Sequence, residues 1–267
     1  KALDRTPSTR LILSAHSFDG PFVNKDKHSF LNRLEILYDS ILAVYEKAIP
    51  KLVFKANNIN DCFGAFNLLA GRKEDAIILC MGDHGVISRI LSKVLGGFVS
   101  FASLDNEKNT APGQVTVDEM INLYRWKNLN RDTQVFGVIA DPVGHSMSPA
   151  IFNAVFGATS ADAVYLPMLV QGSEEVFFEF IENVSQSVRD KVIQFGGFSV
   201  TVPHKAHAME YVQDHGEYVD GLTAGIGAVN TLKVGYTGRV SAYNTDYAGA
   251  IDALVDLMER AGTAETV

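Results

Sequence analysis

Between residues 11 and 126 a short apolar run gives way, four times over, to a stretch whose apolar residues recur every three or four positions. The first run is Leu11–Ala15; beyond Gly20-Pro21 it is followed by Phe30, Leu34, Leu37, Ile41 and Val44, the spacing of one helix face. Leu52–Phe54 then precedes Asp61–Leu69, and Ala76–Met81 precedes Val86–Leu95. Phe98–Ala102 completes the series with Val117–Trp126, past a loop carrying Ala111-Pro112-Gly113. Strands that alternate with helices through short loops must run parallel, because each is re-entered by a helix crossing back over the sheet. Four such strands leave two bare edges, whereas eight close into a barrel with none. The expected fold of this half is α/β; if it is a (βα)8 barrel, these are its last four βα units and the first half lies outside this chain.

From Lys127 to Thr133 the sequence turns polar and loses its periodicity, which predicts a boundary between units at residues 1–130 and 134–267. A second α/β set follows: a strand over Val135–Ile139, an Ala-rich helix over Pro149–Phe156, a strand over Val164–Leu169 and a helix over Glu174–Val184. The next apolar run, arriving from Val192, should stop at Pro203, which has no N–H for a sheet ladder. A helix over Ala206–Gln213 comes next, so Lys205 stands between a strand end and a helix N-terminus, where open α/β sheets hold their ligands. A lysine there is well placed for proton transfer. Ala228–Val234 and Arg239–Tyr243, joined by Gly235-Tyr236-Thr237-Gly238, predict an antiparallel hairpin, and Tyr247–Ala261 a last helix.

The chain carries 31 acidic against 23 basic residues, a balance that argues against a nucleic-acid or anionic-membrane surface. An anionic small molecule would then be held by a few local groups. No apolar run reaches the length of a membrane span and no signal peptide opens the chain. Cys62 and Cys80 lie in apolar surroundings and read as buried thiols of a reducing, cytoplasmic protein. No metal-ligand spacing occurs. Four strands with open edges leave room for a homo-oligomer.

Four segments of the second half carry a resemblance to a known family. They are Gly137-Val138-Ile139-Ala140-Asp141-Pro142-Val143-Gly144-His145-Ser146-Met147-Ser148-Pro149, Ser199-Val200-Thr201-Val202-Pro203-His204-Lys205, Gly227-Ala228-Val229-Asn230-Thr231-Leu232 and Asn244-Thr245-Asp246. In this order and spacing they resemble the substrate-binding domain of shikimate dehydrogenase. The first half resembles the second half of a type I 3-dehydroquinate dehydratase, through Leu13-Ser14-Ala15-His16-Ser17-Phe18, Pro50-Lys51-Leu52-Val53, Met81-Gly82 through Ser88-Arg89, and Ala111-Pro112-Gly113-Gln114. Together they are similar to the bifunctional dehydratase–dehydrogenase of the shikimate pathway, whose substrates are 3-dehydroquinate and 3-dehydroshikimate.

For the second half the resemblance implies Lys205 as the acid/base group and Asp246 as its partner. Ser146 and Ser148 would bind the substrate carboxylate, and Thr201 and Asn230, with Asp246, the ring hydroxyls. By themselves the serines before Pro149 are also what caps a helix. Ser199 stands where many members of the family carry asparagine. For the first half the resemblance implies a covalent mechanism, in which a lysine forms an imine with the ketone and His16 removes the neighbouring proton. Lys51 and Lys55 point the same way on one strand, and chemistry alone does not choose between them. The family's aspartate, ten residues beyond the imine lysine, matches Asp61 and selects Lys51. Arg89 matches the arginine that clamps the substrate carboxylate. Thr110 replaces the family's serine, and Gln114 matches a residue of the closing loop. NADP is the implied cofactor, but no G-x-G-x-x-G turn follows a strand here, so its domain is expected downstream of this chain. Two other readings stay open: a dehydrogenase acting mainly on quinate, and a non-catalytic binding module that inherited the fold.

Overall fold

The computed structural model describes residues 9–22, 30–105, 113–216 and 218–260, the side chains of 30–32 excepted. In the first half, β1 (Ile12–Ser17), β2 (Ile49–Lys55) and β3 (Ile77–Met81) form a parallel sheet in that order. Helices α1 (Phe30–Val44), α2 (Asp61–Ala70) and α3 (Val86–Leu91) connect and cover it. Successive strand residues face opposite sides. Leu52 and Phe54 therefore join Leu34, Tyr38 and Phe66 in the main core beneath the helices. Ile49, Val53, Ile77, Leu79 and Met81 form a separate small cluster on the other face of the sheet.

The fourth βα unit differs from the expectation. Among the described residues no strand forms over 98–102, and the sheet has three strands with no closed barrel. The chain there keeps one ladder-like bond, Phe98 N–H to the Ala76 carbonyl at 2.8 Å, and an isolated bridge between Ser103 and Thr116. The helix expected over Val117–Trp126 is in part a π-helical turn at Glu119–Leu123, entered where the Glu119 carboxylate accepts from the Thr116 N–H at 2.7 Å. The third helix is shorter than its apolar periodicity, because Gly96 turns the backbone to φ +79° and the Gly97 N–H closes on the Ser92 carbonyl.

In the second half β4 (Gln134–Ala140), β5 (Ala163–Leu169), β6 (Phe195–Val200), β7 (Tyr218–Val219), β8 (Thr231–Val234) and β9 (Val240–Tyr243) form one sheet in the order β5-β4-β6-β8-β9-β7. The first three run parallel, and β8 and β9 make the expected antiparallel hairpin beside β6. Helices α4 (Ser148–Ala158), α5 (Glu174–Arg189), α6 (Lys205–His215) and α8 (Asp246–Arg260) follow the expected order, while α7 (Gly221–Ile226) and the short β7 were not expected from the sequence. The sixth strand ends at Val200 rather than at Pro203, because the His204 N–H already closes a turn on the Thr201 carbonyl at 2.9 Å.

One apolar core runs through both halves. The ring of Phe63 in α2 lies 6.0 Å from Phe180 in α5 and 6.2 Å from Phe195 in β6. Asn60 sits over this contact, donating to the Val176 carbonyl at 3.2 Å and accepting from Asn183 at 3.3 Å. No described helix is long and apolar enough to cross a membrane.

Candidate active site

In the second half, pairing brings separate segments to one end of the sheet. Ser199 pairs with Thr231, which pairs with Tyr243, so Asn230 and the Asn244–Asp246 turn lie beside the end of β6 that leads to Lys205. There Lys205 Nζ donates to Asp246 Oδ2. Asn230 Nδ2 donates to the other carboxylate oxygen at 2.8 Å and to Thr245 Oγ1 at 2.9 Å, while Asn230 Oδ1 accepts from the Thr245 N–H and the Thr231 hydroxyl. These donors, first of all the lysine and then the amide, hold the Asp246 carboxyl below the usual carboxylate range. Asp246 opens α8 but does not cap it; the side chain of Asn244 accepts its N–H at 3.0 Å.

Ser146 and Ser148 lie beyond the same end of β4, where the Ser148 N–H approaches Ser146 Oγ at 3.3 Å. Ser199 is reached by the Tyr165 hydroxyl, which donates to it at 2.8 Å. Burial raises the Tyr165 phenol, and hydrogen bonds to Ser199 and Ser148 pull it back. Tyr165 thus joins both serines, a role that the sequence motifs leave unmarked because it comes from the middle of β5. Thr201 belongs to the turn into α6, its N–H donating to the Ile139 carbonyl at 3.0 Å.

In the first half, register sets Ser14 beside Lys51 and His16 beside Val53, so His16 and Lys51 share the sheet face opposite α1 and α2. Lys51 is half-buried, with its Nζ 4.3 Å from the centre of the Phe101 ring, whereas Lys55 on the same face is exposed. Burial lowers the Lys51 amine from the usual lysine range, and the Arg89 charge lowers it further. Arg89, only 3% exposed, comes from α3; its Nε has no hydrogen-bond partner and burial lowers its guanidinium. Burial and then the Lys51 charge lower the His16 imidazole, which stacks on Phe18. Asp61 lies apart from this face and ties its own helix start, accepting from the Asn57 N–H at 2.7 Å. Burial raises its carboxyl. Gly113, at φ +69°, packs so closely on Gly82 that a Cβ would fall 2.0 Å from the Gly82 oxygen, which sets Gln114 beside the loop leading to α3. Thr110 lies outside the described residues.

Two family models match successive parts of the chain: type I 3-dehydroquinase over residues 1–131 and the shikimate dehydrogenase substrate binding domain over 138–232. The chain is 32% identical over 97% of its length to the bifunctional 3-dehydroquinate dehydratase/shikimate dehydrogenase of Arabidopsis thaliana, of which it covers 39%. It is 29% identical over 93% of its length to the shikimate biosynthesis protein AroDE of Chlamydia pneumoniae, covering 46% of that protein. The chain thus matches, in the same order, the two units that these bifunctional relatives join in one polypeptide. It spans less than half the length of these two relatives. The solved shikimate dehydrogenase of Aquifex aeolicus aligns at 34% identity and a TM-score of 0.41, covering 49% of this chain and 44% of that one.

The two matches fall on the two halves that hold the two constellations just described. Among the described residues no group of three His, Cys, Asp or Glu side chains gathers as a metal would require. Nor do the turns into α4, α5 and α6 form a dinucleotide cradle. The turn into α4 carries Gly144, that into α5 carries Gly172, and that into α6 has Pro203 and no glycine. A pyrophosphate needs several successive close backbone approaches at one such turn, so NADP does not fit here.

Proposed function

We propose that this chain contributes to two successive reactions: dehydration of 3-dehydroquinate through an imine, and NADP-dependent reduction of 3-dehydroshikimate. The single observation that carries the reading is the shared sheet face on which Lys51, its charge disfavoured, stands with His16 beside Arg89. A neutral lysine amine adds to the ketone and, with loss of water, gives an imine. The imine acidifies the adjacent C–H, and His16, kept neutral first of all by burial, takes that proton and returns it to the departing hydroxyl. Arg89 holds the carboxylate, its unpartnered Nε available for it. Gln114 closes over the bound ring.

In the second half Lys205 exchanges the proton at the substrate oxygen where ketone and alcohol interconvert, and Asp246 holds the ammonium in place. Ser146 and Ser148 take the carboxylate, and Thr201 and Asn230 the ring hydroxyls. NADPH, which the turns described above do not cradle, would supply the hydride when bound; several shikimate dehydrogenases among the relatives carry NADP(+) in their names, including that of Bacillus cereus, which is 41% identical over 45% of this chain. Residues 1–130 belong to a dehydratase barrel as its last βα units and 134–267 to the dehydrogenase substrate domain. The protein works in the cytoplasm on small molecules. No observation favours quinate or a non-catalytic module over this reading.

Treatment of the barrel-complete protein with 3-dehydroquinate and borohydride tests it, since borohydride fixes an imine as a stable amine. The adduct is expected on the peptide containing Lys51, to vanish in Lys51→Ala and to persist in Lys55→Ala; an adduct on Lys55 defeats the assignment. His16→Ala should still trap the ligand but slow dehydration by roughly a hundredfold or more.

A further inference from the structure

At the join between the halves, two side chains outside both constellations grip adjacent carbonyls. Strand β5 ends at Leu169. Nδ1 of His84, from the loop between β3 and α3, lies 3.3 Å from the Leu169 carbonyl oxygen. Nε2 of His204, the residue before Lys205, lies 2.6 Å from the Val170 carbonyl oxygen. A carbonyl only accepts, so each of these ring nitrogens carries a hydrogen. With Nε2 protonated, neutral His204 presents Nδ1 as an acceptor, and Nδ1 of His207, 3.1 Å away, must be the donor.

The ring of His204 is fully buried and stacks on Phe177 at 5.2 Å. Its burial favours the neutral form, against the smaller pull of the Val170 bond and of Asp141 and with the push of His207. The backbone of the first α6 turn is tied on its other side too, where the Lys205 carbonyl accepts from the Val229 N–H at 3.0 Å, one residue before Asn230. Lys205 therefore starts from a turn anchored to the end of β5 by an imidazole and to the entry of β8 by a backbone bond.

We propose that His204 and His84 are positioning residues that clamp the successive Leu169 and Val170 carbonyls, one from each half, and thereby fix the first turn of α6 where Lys205 meets Asp246. The dehydratase half then helps to set the geometry of the dehydrogenase lysine. This rests on the proposed function only for what Lys205 does; the clamp itself is a matter of geometry. A clamp differs from mere filling in requiring the donor. His204→Phe keeps a ring against Phe177 but has no N–H, whereas His204→Gln places an amide N–H near the former Nε2. In the same way His84→Phe lacks the donor and His84→Asn retains one near Nδ1.

The readout is the titration of the Asp246 carboxyl carbon by NMR in the whole chain, because contact with Lys205 holds that group low. In His204→Phe the midpoint should rise toward an ordinary aspartate by about half a unit or more, and His204→Gln should restore most of it. His84→Phe should move it the same way by less, with His84→Asn reversing the change. An unmoved midpoint in His204→Phe, or a glutamine no better than phenylalanine, overturns the clamp. An unmoved midpoint in His84→Phe removes the contribution of the first half. Should His204→Phe fail to fold, the His84 pair, on a half-exposed side chain, decides between clamp and filling alone. Shikimate titrated into the wild-type chain separates the two questions: absence of any shift at Lys205 counts against the proposed function and leaves the carboxyl titration to judge the clamp.

Discussion

Lys51 carries its charge where the fold disfavours it. Burial and the nearby Arg89 both lower its amine, and contact with the Phe101 face offsets part of that cost. The native state then binds fewer protons than the unfolded chain between the lowered value and the ordinary lysine value, so stability contributed by this group rises with pH across that window and is lowest at neutral pH. Two outcomes follow. Competitive acetylation of Lys51, followed by peptide mass spectrometry, should show its reactivity turning on with a midpoint below the ordinary lysine value of 10.5. A midpoint at or above 10.5 would remove the argument that burial readies the amine. Lys51→Met should in turn raise the melting temperature at pH 7 by a few degrees at most, of order 2 °C, while abolishing imine trapping. The choice between Lys51 and Lys55 shows where reading the sequence stops: their spacing puts both on one face, and only the packing of Phe101 and Arg89 against one of them separates their environments.

At the scale of elements, the position of Arg89 depends on how closely α3 sits on β3. Gly85 is the point of closest approach, where a Cβ would lie 2.6 Å from the Cys80 carbonyl carbon. Ser88 fastens the same contact by accepting from the Cys80 N–H at 2.8 Å and donating to the Gly85 carbonyl at 2.7 Å. Gly85→Ala must therefore push α3 off the strand. The expected loss is about 1–3 kcal/mol by urea denaturation, together with weakened binding of 3-dehydroquinate; unchanged stability would mean that the helix has room to shift. The α7 helix offers a milder test, since Asp220 caps it by accepting from the Leu222 and Thr223 N–H groups at 3.0 and 3.2 Å. Asp220→Ala should cost about 1 kcal/mol. Most of these elements were legible from apolar periodicity because they bury one face; α8 shows the period although none of its residues is buried. The failures came where a run is held by something other than a ladder: residues 98–102 keep a single bond to β3, and Ser100 turns its hydroxyl to the Arg89 carbonyl at 2.7 Å. Composition marks such a run as a strand although its hydrogen bonds go elsewhere.

The polar break at Lys127–Thr133 suggested two bodies, yet the packing runs straight across it. Phe63 touches Phe180 and Phe195, Asn60 bonds to Val176 and Asn183, and His84 reaches Leu169. No sequence period reveals contacts of this kind, because they depend on how two finished layers meet. Their energetic consequence is that the halves should not melt independently. Phe63, 4% exposed, lies on the first-half side of this contact, and Phe63→Ala should cost about 3–5 kcal/mol. The decisive measurement is where that loss appears. Hydrogen exchange of the β6 amides, which belong to the second half, should quicken along with that of α2, because removing the ring opens a cavity against Phe180 and Phe195. Loss of protection confined to α2 would mean that the shared core is only a contact between independently stable units. If protection falls in both, the dehydratase half is part of what holds β6 and, through its end at Val200, the turn that presents Lys205.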